Sequence, residues 1–164
     1  MKNIFFKFKA LKLDTMDVYE VVSINFDTQK LILKKENSSE KIESNFENVK
    51  LLECLSSNIY TGDVFKSKYD DYAFVYRNHL GINICFIDKD RGRVQSFAGD
   101  HAITILNSSG YKKVGYIWQE IYRHLLYRYV NPEESHSWKS GDEYDKFKFF
   151  TMSSYNLKEY LDYI

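Results

Sequence analysis

Apolar and polar residues alternate in short runs through the first two-thirds of this chain, and small polar or glycine-bearing turns separate the runs. Ile4, Phe6 and Phe8 fall on one side with Lys7 and Lys9 on the other, the period-two pattern of a half-buried strand. Val22, Ile24 and Phe26 repeat that alternation. Asp27-Thr28-Gln29-Lys30 then turns the chain and Leu31-Ile32-Leu33 returns it, which predicts a hairpin. Glu36 to Ser39 form a second polar turn. A weak strand through Ile42 follows, and another from Val49 to Cys54.

The stretch SSNIYTGDVFKSKYDDYAFVY, residues 56–76, holds a tight Thr61-Gly62-Asp63 turn between two such runs. Gly62 brings the dihedral freedom a tight turn needs, and Asp63 can bond nearby backbone amides. From Asp63 to Phe65 the chain reads as a strand. A second hairpin is expected next: Tyr72, Phe74 and Tyr76 alternate, Asn78 to Gly81 turn, and Ile82, Ile84 and Phe86 alternate again. Asp88 to Gly92 make a further turn. Short strands at this spacing argue for an antiparallel sandwich or barrel.

The period changes after Gly110. Val114, Ile117, Trp118, Ile121, Tyr122, Leu125, Leu126 and Tyr129 make a broad apolar stripe at helical spacing, with Gln119, Glu120, Arg123, His124 and Arg128 on the other side. This predicts a helix over 116–130 ending before Pro132, although 113–118 reads equally well as a last strand. Residues 131–143, NPEESHSWKSGDE, form the best linker. A short strand over 146–152 and a terminal helix opened by the capping-box spacing Asn156 to Glu159 complete the chain. The expected fold class is therefore mainly β (β+α). It has an antiparallel barrel- or sandwich-like core, one C-terminal amphipathic helix and a small α/β extension. Residues 1–130 make the β domain and 131–164 the linker and extension.

Composition sharpens this reading at two points. Fourteen Tyr and twelve Phe against a single Pro, in 164 residues, suit half-buried pleated surfaces. Lys plus Arg equals Asp plus Glu, 23 of each, whereas nucleic-acid binding driven by counterion release wants a clearly basic face. The local exception is the start of the chain, where Lys2, Lys7, Lys9 and Lys12 all precede the first acid, Asp14. Cys54 and Cys85 stand far apart with no CxxC spacing and read as reduced thiols. Lysines interrupt the apolar residues of MKNIFFKFKALKL, so no signal peptide is expected. No apolar run approaches the roughly 18 residues of a membrane span, so a soluble, intracellular protein is expected.

Candidate chemistry changes the picture little. His79, His101, His124 and His136 never pair at metal-ligand spacing. Glu120 and His124 stand at i and i+4, which a solvated helix face explains without acid–base work. GxSxG, GxxxxGK[ST] and GxGxxG are all missing, and DKDRG fails as a calcium loop because Arg93 and Gly99 occupy the sixth and twelfth positions. No catalytic, cofactor-binding or metal-binding residue is assigned, and no cofactor is expected. Among the aromatic residues, Tyr116, Tyr127, Trp138 and Tyr144 fit a core position least well and are candidate anchors for a protein partner.

Three stretches are similar to the YopX-like family of phage and prophage proteins: IFFKFKALKLDTMDVYEVVSINFDTQKLIL, NIYTGDVF and YKKVGYIWQ. Together they span roughly residues 1 to 120, and none is a catalytic motif. The family's closing N-P-E does not follow VGYIWQ directly; Asn131-Pro132-Glu133 occurs later. The resemblance implies a mainly β fold carried on a phage or prophage genome, in the cytoplasm of a bacterial host, with no activity to carry over. The expected function is a non-catalytic protein-interaction module binding a host or phage protein, or a second copy of itself. The alternative is a small β-barrel binding nucleic acid through Phe5, Lys7, Lys9 and Lys12. No membrane partner is expected.

Overall fold

A computed structural model of the protein describes residues 8–78, 81–88 and 93–122, together with Leu125 and Ile164. Mainly antiparallel β-structure is found, as the alternating runs predict, in two sheets. The sheets coincide with two compact units, residues 1–60 and 61–164. The expected domain boundary at 130/131, the linker, the strand over 146–152 and the terminal capping box lie outside the described residues, as do Ile4 and Phe6.

The first unit contains β1 (Phe8–Lys12), β2 (Val18–Asn25), β3 (Lys30–Lys34), β4 (Lys41–Asn45), a 3-10 turn (Phe46–Asn48), β5 (Val49–Ser56) and β6 (Ile59–Tyr60). Their order across the sheet is β4-β3-β2-β1-β5-β6. One geometric demand shapes it. Asn45 pairs beside Lys30 at one end of β2, whereas Val49 pairs beside Lys12 near the other end. In a flat sheet these points would stand roughly 23 Å apart along the strands and four spacings of about 4.8 Å apart across them. Only Phe46 to Asn48 lie between them, and four residue steps reach at most ~14 Å. The sheet must therefore coil until the two ends meet.

Coiling wraps one face around a core. Ala10, Leu31 and Leu33 are buried there, with Tyr19, Val21, Ile24, Ile42, Phe46, Val49 and Leu51 packed against them. The register explains the set, since Ala10 faces Tyr19 and Leu51, and Leu33 faces both Val21 and Ile42. Among the described residues β4 makes no ladder with β5, so the coil stays open and is not a closed barrel.

Here the alternation expected for β2 is corrected. The register shifts between Val21 and Ser23, a bulge that changes which side chains point inward and adds twist where the sheet bends. Tyr19, Val21 and Ile24 face the core, while Val22 is 46% exposed. Phe26 lies past the strand, in the hairpin turn, and is 75% exposed.

The second unit is a meander of β7 (Asp63–Lys66), β8 (Tyr72–Asn78), β9 (Gly81–Asp88) and β10 (Arg93–Ala98), with β11 (Lys112–Tyr116) added beside β7. Residues 73–76 and 84–87 are buried at consecutive positions, so the middle strands are covered on both faces. One cover is α1 (Gly99–Ser108), which turns Ala102 and Leu106 inward and sets His101 edge-on to Phe97. Sequence periodicity had singled out no helix there. It is short, starts straight from β10, and closes at Gly110 (φ +66), where Tyr111 N–H donates to Leu106 O.

The helix expected over 116–130 is corrected at its start. Residues 112–116 are strand and 117–119 turn; helical backbone begins at Glu120. Ile117, Trp118 and Leu125 are buried as the stripe predicted, but Val114 (40% exposed) and Ile121 (69%) are not. The last strand read as the alternative over 113–118 is found at 112–116, with helical backbone after it. Tyr122 packs near Tyr72, on the sheet face opposite α1.

The Thr61-Gly62-Asp63 corner is a buried junction. Gly62 N–H donates to Val75 O, and Ile117 N–H donates to Gly62 O, both at 2.8 Å. Gly62 has φ +91, and a Cβ there would stand 2.4 Å from Trp118 Cζ3. Gly62→Ala should therefore cost about 1–3 kcal/mol from overpacking on top of ~1 kcal/mol of left-handed strain. Gly110→Ala, with open space around it, should cost only the strain. Urea unfolding midpoints at unchanged slope check this; equal losses in the two variants would contradict it.

Tyr111, edge-on to Phe86, has its phenol pushed up to about 12 by burial and by the charges of Asp71 and Asp88. Between pH 10 and 12 the unfolded chain has released that proton and the folded chain has not, so folded stability falls across this window and is complete below it. Tyr111→Phe should flatten the fall. A wild-type phenolate absorbance titration completed by pH 10.5 would contradict the assignment.

Candidate interaction site

A polar groove of about 530 Å³ opens in the first unit, lined by Lys12, Leu13, Asp14, Lys30, Glu43, Ser44, Asn45, Glu47 and Asn48. Coiling creates it, because it brings the end of β1, the end of β4 and the 3-10 turn together. Leu13 N–H donates to Asn48 O at one end of the turn, and Phe46 N–H donates to Gln29 O at the other.

The groove's charges are mostly paired. Lys12 Nζ sits 2.9 Å from Asp14 Oδ2, and Lys30 Nζ 2.6 Å from Glu43 Oε1. The hydrogen bond from Lys12 holds the Asp14 carboxyl below its ordinary range, and the same bond raises the Lys12 ammonium. Glu47 makes no ion pair among the described residues, so two lysines face three acids. Beside the turn, Phe26 stands edge-on to Phe46 with centroids 5.9 Å apart. Phe46 is half-buried in the core, so Phe26 is the exposed member of the pair.

The lysines offered for nucleic-acid binding are placed only in part. Lys7 lies outside the described residues, the Lys9 ammonium sits 4.8 Å from the Tyr60 ring centroid, and Lys12 is the groove residue bonded to Asp14. Of the aromatic candidates, Tyr127, Trp138 and Tyr144 lie outside the described residues. Tyr116 is half-buried: its ring stacks on Trp118 at 4.6 Å and 7°, and Lys113 Nζ lies 4.4 Å from its centroid. His79, His124 and His136 also fall outside the described residues, and no metal-holding cluster occurs among those described. Cys54 and Cys85 form no disulfide. No described helix is long and apolar enough to cross a membrane.

Lys113 also pairs with Asp63, which is fully buried, at 2.9 Å to Oδ1; the contact is an ion pair rather than an aligned hydrogen bond. Burial is the largest single influence and lowers the Lys113 ammonium, but the Asp63 contact and Tyr116 together outweigh it, and the net direction is upward. This pair joins two of the quoted motifs, since β7 of NIYTGDVF and β11 of YKKVGYIWQ are neighbouring strands. Its carboxylate is fully buried and its ammonium lies at the surface end of the contact, with the Lys113 side chain 33% exposed.

Sequence reading missed the groove. Its members come from three separate stretches, 12–14, 30 and 43–48, and Phe26 reads in sequence as part of a strand. The one local signal was SNFEN, a polar run between two strands around a lone Phe. The chain matches no protein-family model, and no curated protein or solved structure matches it.

Breaking the buried pair should be costly. Lys113→Met removes the cation 2.9 Å from the fully buried Asp63 carboxylate and should destabilise by about 3–5 kcal/mol. Asp63→Asn combined with Lys113→Met should lose less than the sum of the single changes. A double-mutant cycle in urea returning strict additivity would contradict coupling across the 2.9 Å contact.

Proposed function

We propose that this protein is a non-catalytic protein-interaction module of phage or prophage origin, working in the cytoplasm of a bacterial host. The reading places its partner on the groove of the first unit. The supporting observation is Phe26, a ring 75% exposed at a hairpin tip, beside a groove whose ionic groups largely neutralise one another. Fully burying such a ring is worth about 1.5–3 kcal/mol, which folding leaves largely unused and a partner can recover. Exposed rings next to polar groups are typical anchors of protein contacts. The mixed charge of the groove favours a protein over nucleic acid, because counterion release requires surplus cations.

Affinity capture from bacterial lysate, with and without nuclease, tests the reading. A discrete protein should survive nuclease, and Phe26→Ser should weaken its capture about tenfold, equivalent to 1.4 kcal/mol. Capture that disappears with nuclease would contradict the proposal. So would capture that is indifferent to Phe26.

A further inference from the structure

Ser44 lies on the groove wall, and its hydroxyl reaches solvent there and makes no hydrogen bond among the described residues. Asn45, Glu47 and Asn48 line the same groove, and their side chains likewise make no protein hydrogen bond among the described residues. Asn45 even occupies the cap position of the 3-10 turn without capping it. One wall is thus supplied with amide and hydroxyl groups that bond nothing among the described residues.

That wall also carries backbone. β4 pairs only with β3 among the described residues, so Glu43, Ser44 and Asn45 belong to an edge strand. An edge offers N–H and C=O groups to an incoming extended chain. Charge narrows the occupant further. Two lysines are bonded to Asp14 and Glu43, which leaves Glu47 as the excess charge. Among the described residues an anion finds no unpaired cation in the groove, whereas a basic side chain finds a carboxylate. Phe26, paired with Phe46 at the start of the turn, offers an apolar contact alongside.

We propose that the groove takes an extended peptide segment of the partner. Its main-chain amides bond Ser44, Asn45, Asn48 and the β4 edge, a basic side chain meets Glu47, and a neighbouring apolar side chain covers Phe26. This deepens the interaction-module reading and rests on it. The side-chain contacts set the motif, and the main-chain contacts set its extended form.

Random displayed peptides selected on the full chain test the inference, with the enriched sequences synthesised and titrated by fluorescence anisotropy. Enrichment should yield a basic residue next to an aromatic or aliphatic one. Glu47→Lys should weaken binding at least tenfold, and replacing the basic peptide residue by Glu should restore it, which a merely misfolded variant could not do. Asn45→Ala with Asn48→Ala should weaken every enriched peptide. Failure to enrich any family, or binding indifferent to both sets of variants, would overturn the inference. Displacement of the peptide by inorganic phosphate or a single-stranded oligonucleotide would overturn it as well, by marking the groove as an anion site. Should lysate capture depend on Phe26 while no peptide family emerges, the interaction reading stands with a folded partner and only the peptide inference falls.

Discussion

Three residues have to carry the chain from the end of β4 to the start of β5, and the architecture of the first unit follows from that shortage of reach. A link so short cannot cross a flat six-stranded sheet, so the sheet coils. Coiling turns one face into an interior, and the residues that fill it are those the register places on that face. The bulge in β2 belongs to the same solution, because an extra residue adds twist and changes the phase of the strand. The groove is a consequence of the same shortage. Polar residues at strand ends that would be far apart in a flat sheet become neighbours when the sheet bends.

The second unit meets its constraints by burial. Its middle strands are apolar on both faces and are covered by α1 on one side and by the segment after β11 on the other. Its corner depends on a residue without a side chain, because Trp118 occupies the space a Cβ at Gly62 would need. Next to it the Asp63 carboxylate is taken fully out of water and paired with Lys113. Replacing such a pair by apolar residues is often no loss in stability, whereas removing one partner is costly. The pair ties β7 to β11, and the Lys113 ammonium also lies over the Tyr116 ring, which stacks on Trp118.

Much of the strand pattern was legible because alternation is a local property. The hairpins β2–β3 and β8–β9 and the turn at Gly62 stand where the runs and turn residues put them. The misreadings have physical causes. A bulge cannot be seen in a two-letter pattern, so Val22 and Phe26 were assigned inward positions. Strand β11 followed by a helical start mimics one continuous helical stripe, since Ile117 and Trp118 are buried in the turn that joins them. Helix α1 carries only two buried side chains, too few to raise a periodic signal. The groove was illegible for a different reason. Lys12, Lys30, Ser44 and Asn48 are ordinary polar residues in sequence, and only the coil makes them one surface.

The central claim is that this coil builds the docking surface. Amide hydrogen exchange on the full chain, alone and with the captured partner bound, tests it most directly. The account predicts slowed exchange in residues 41–48 and around the 25–30 tip, with residues 72–88 unchanged. Protection confined to residues 61–122, with 41–48 exchanging as in the free protein, would contradict it.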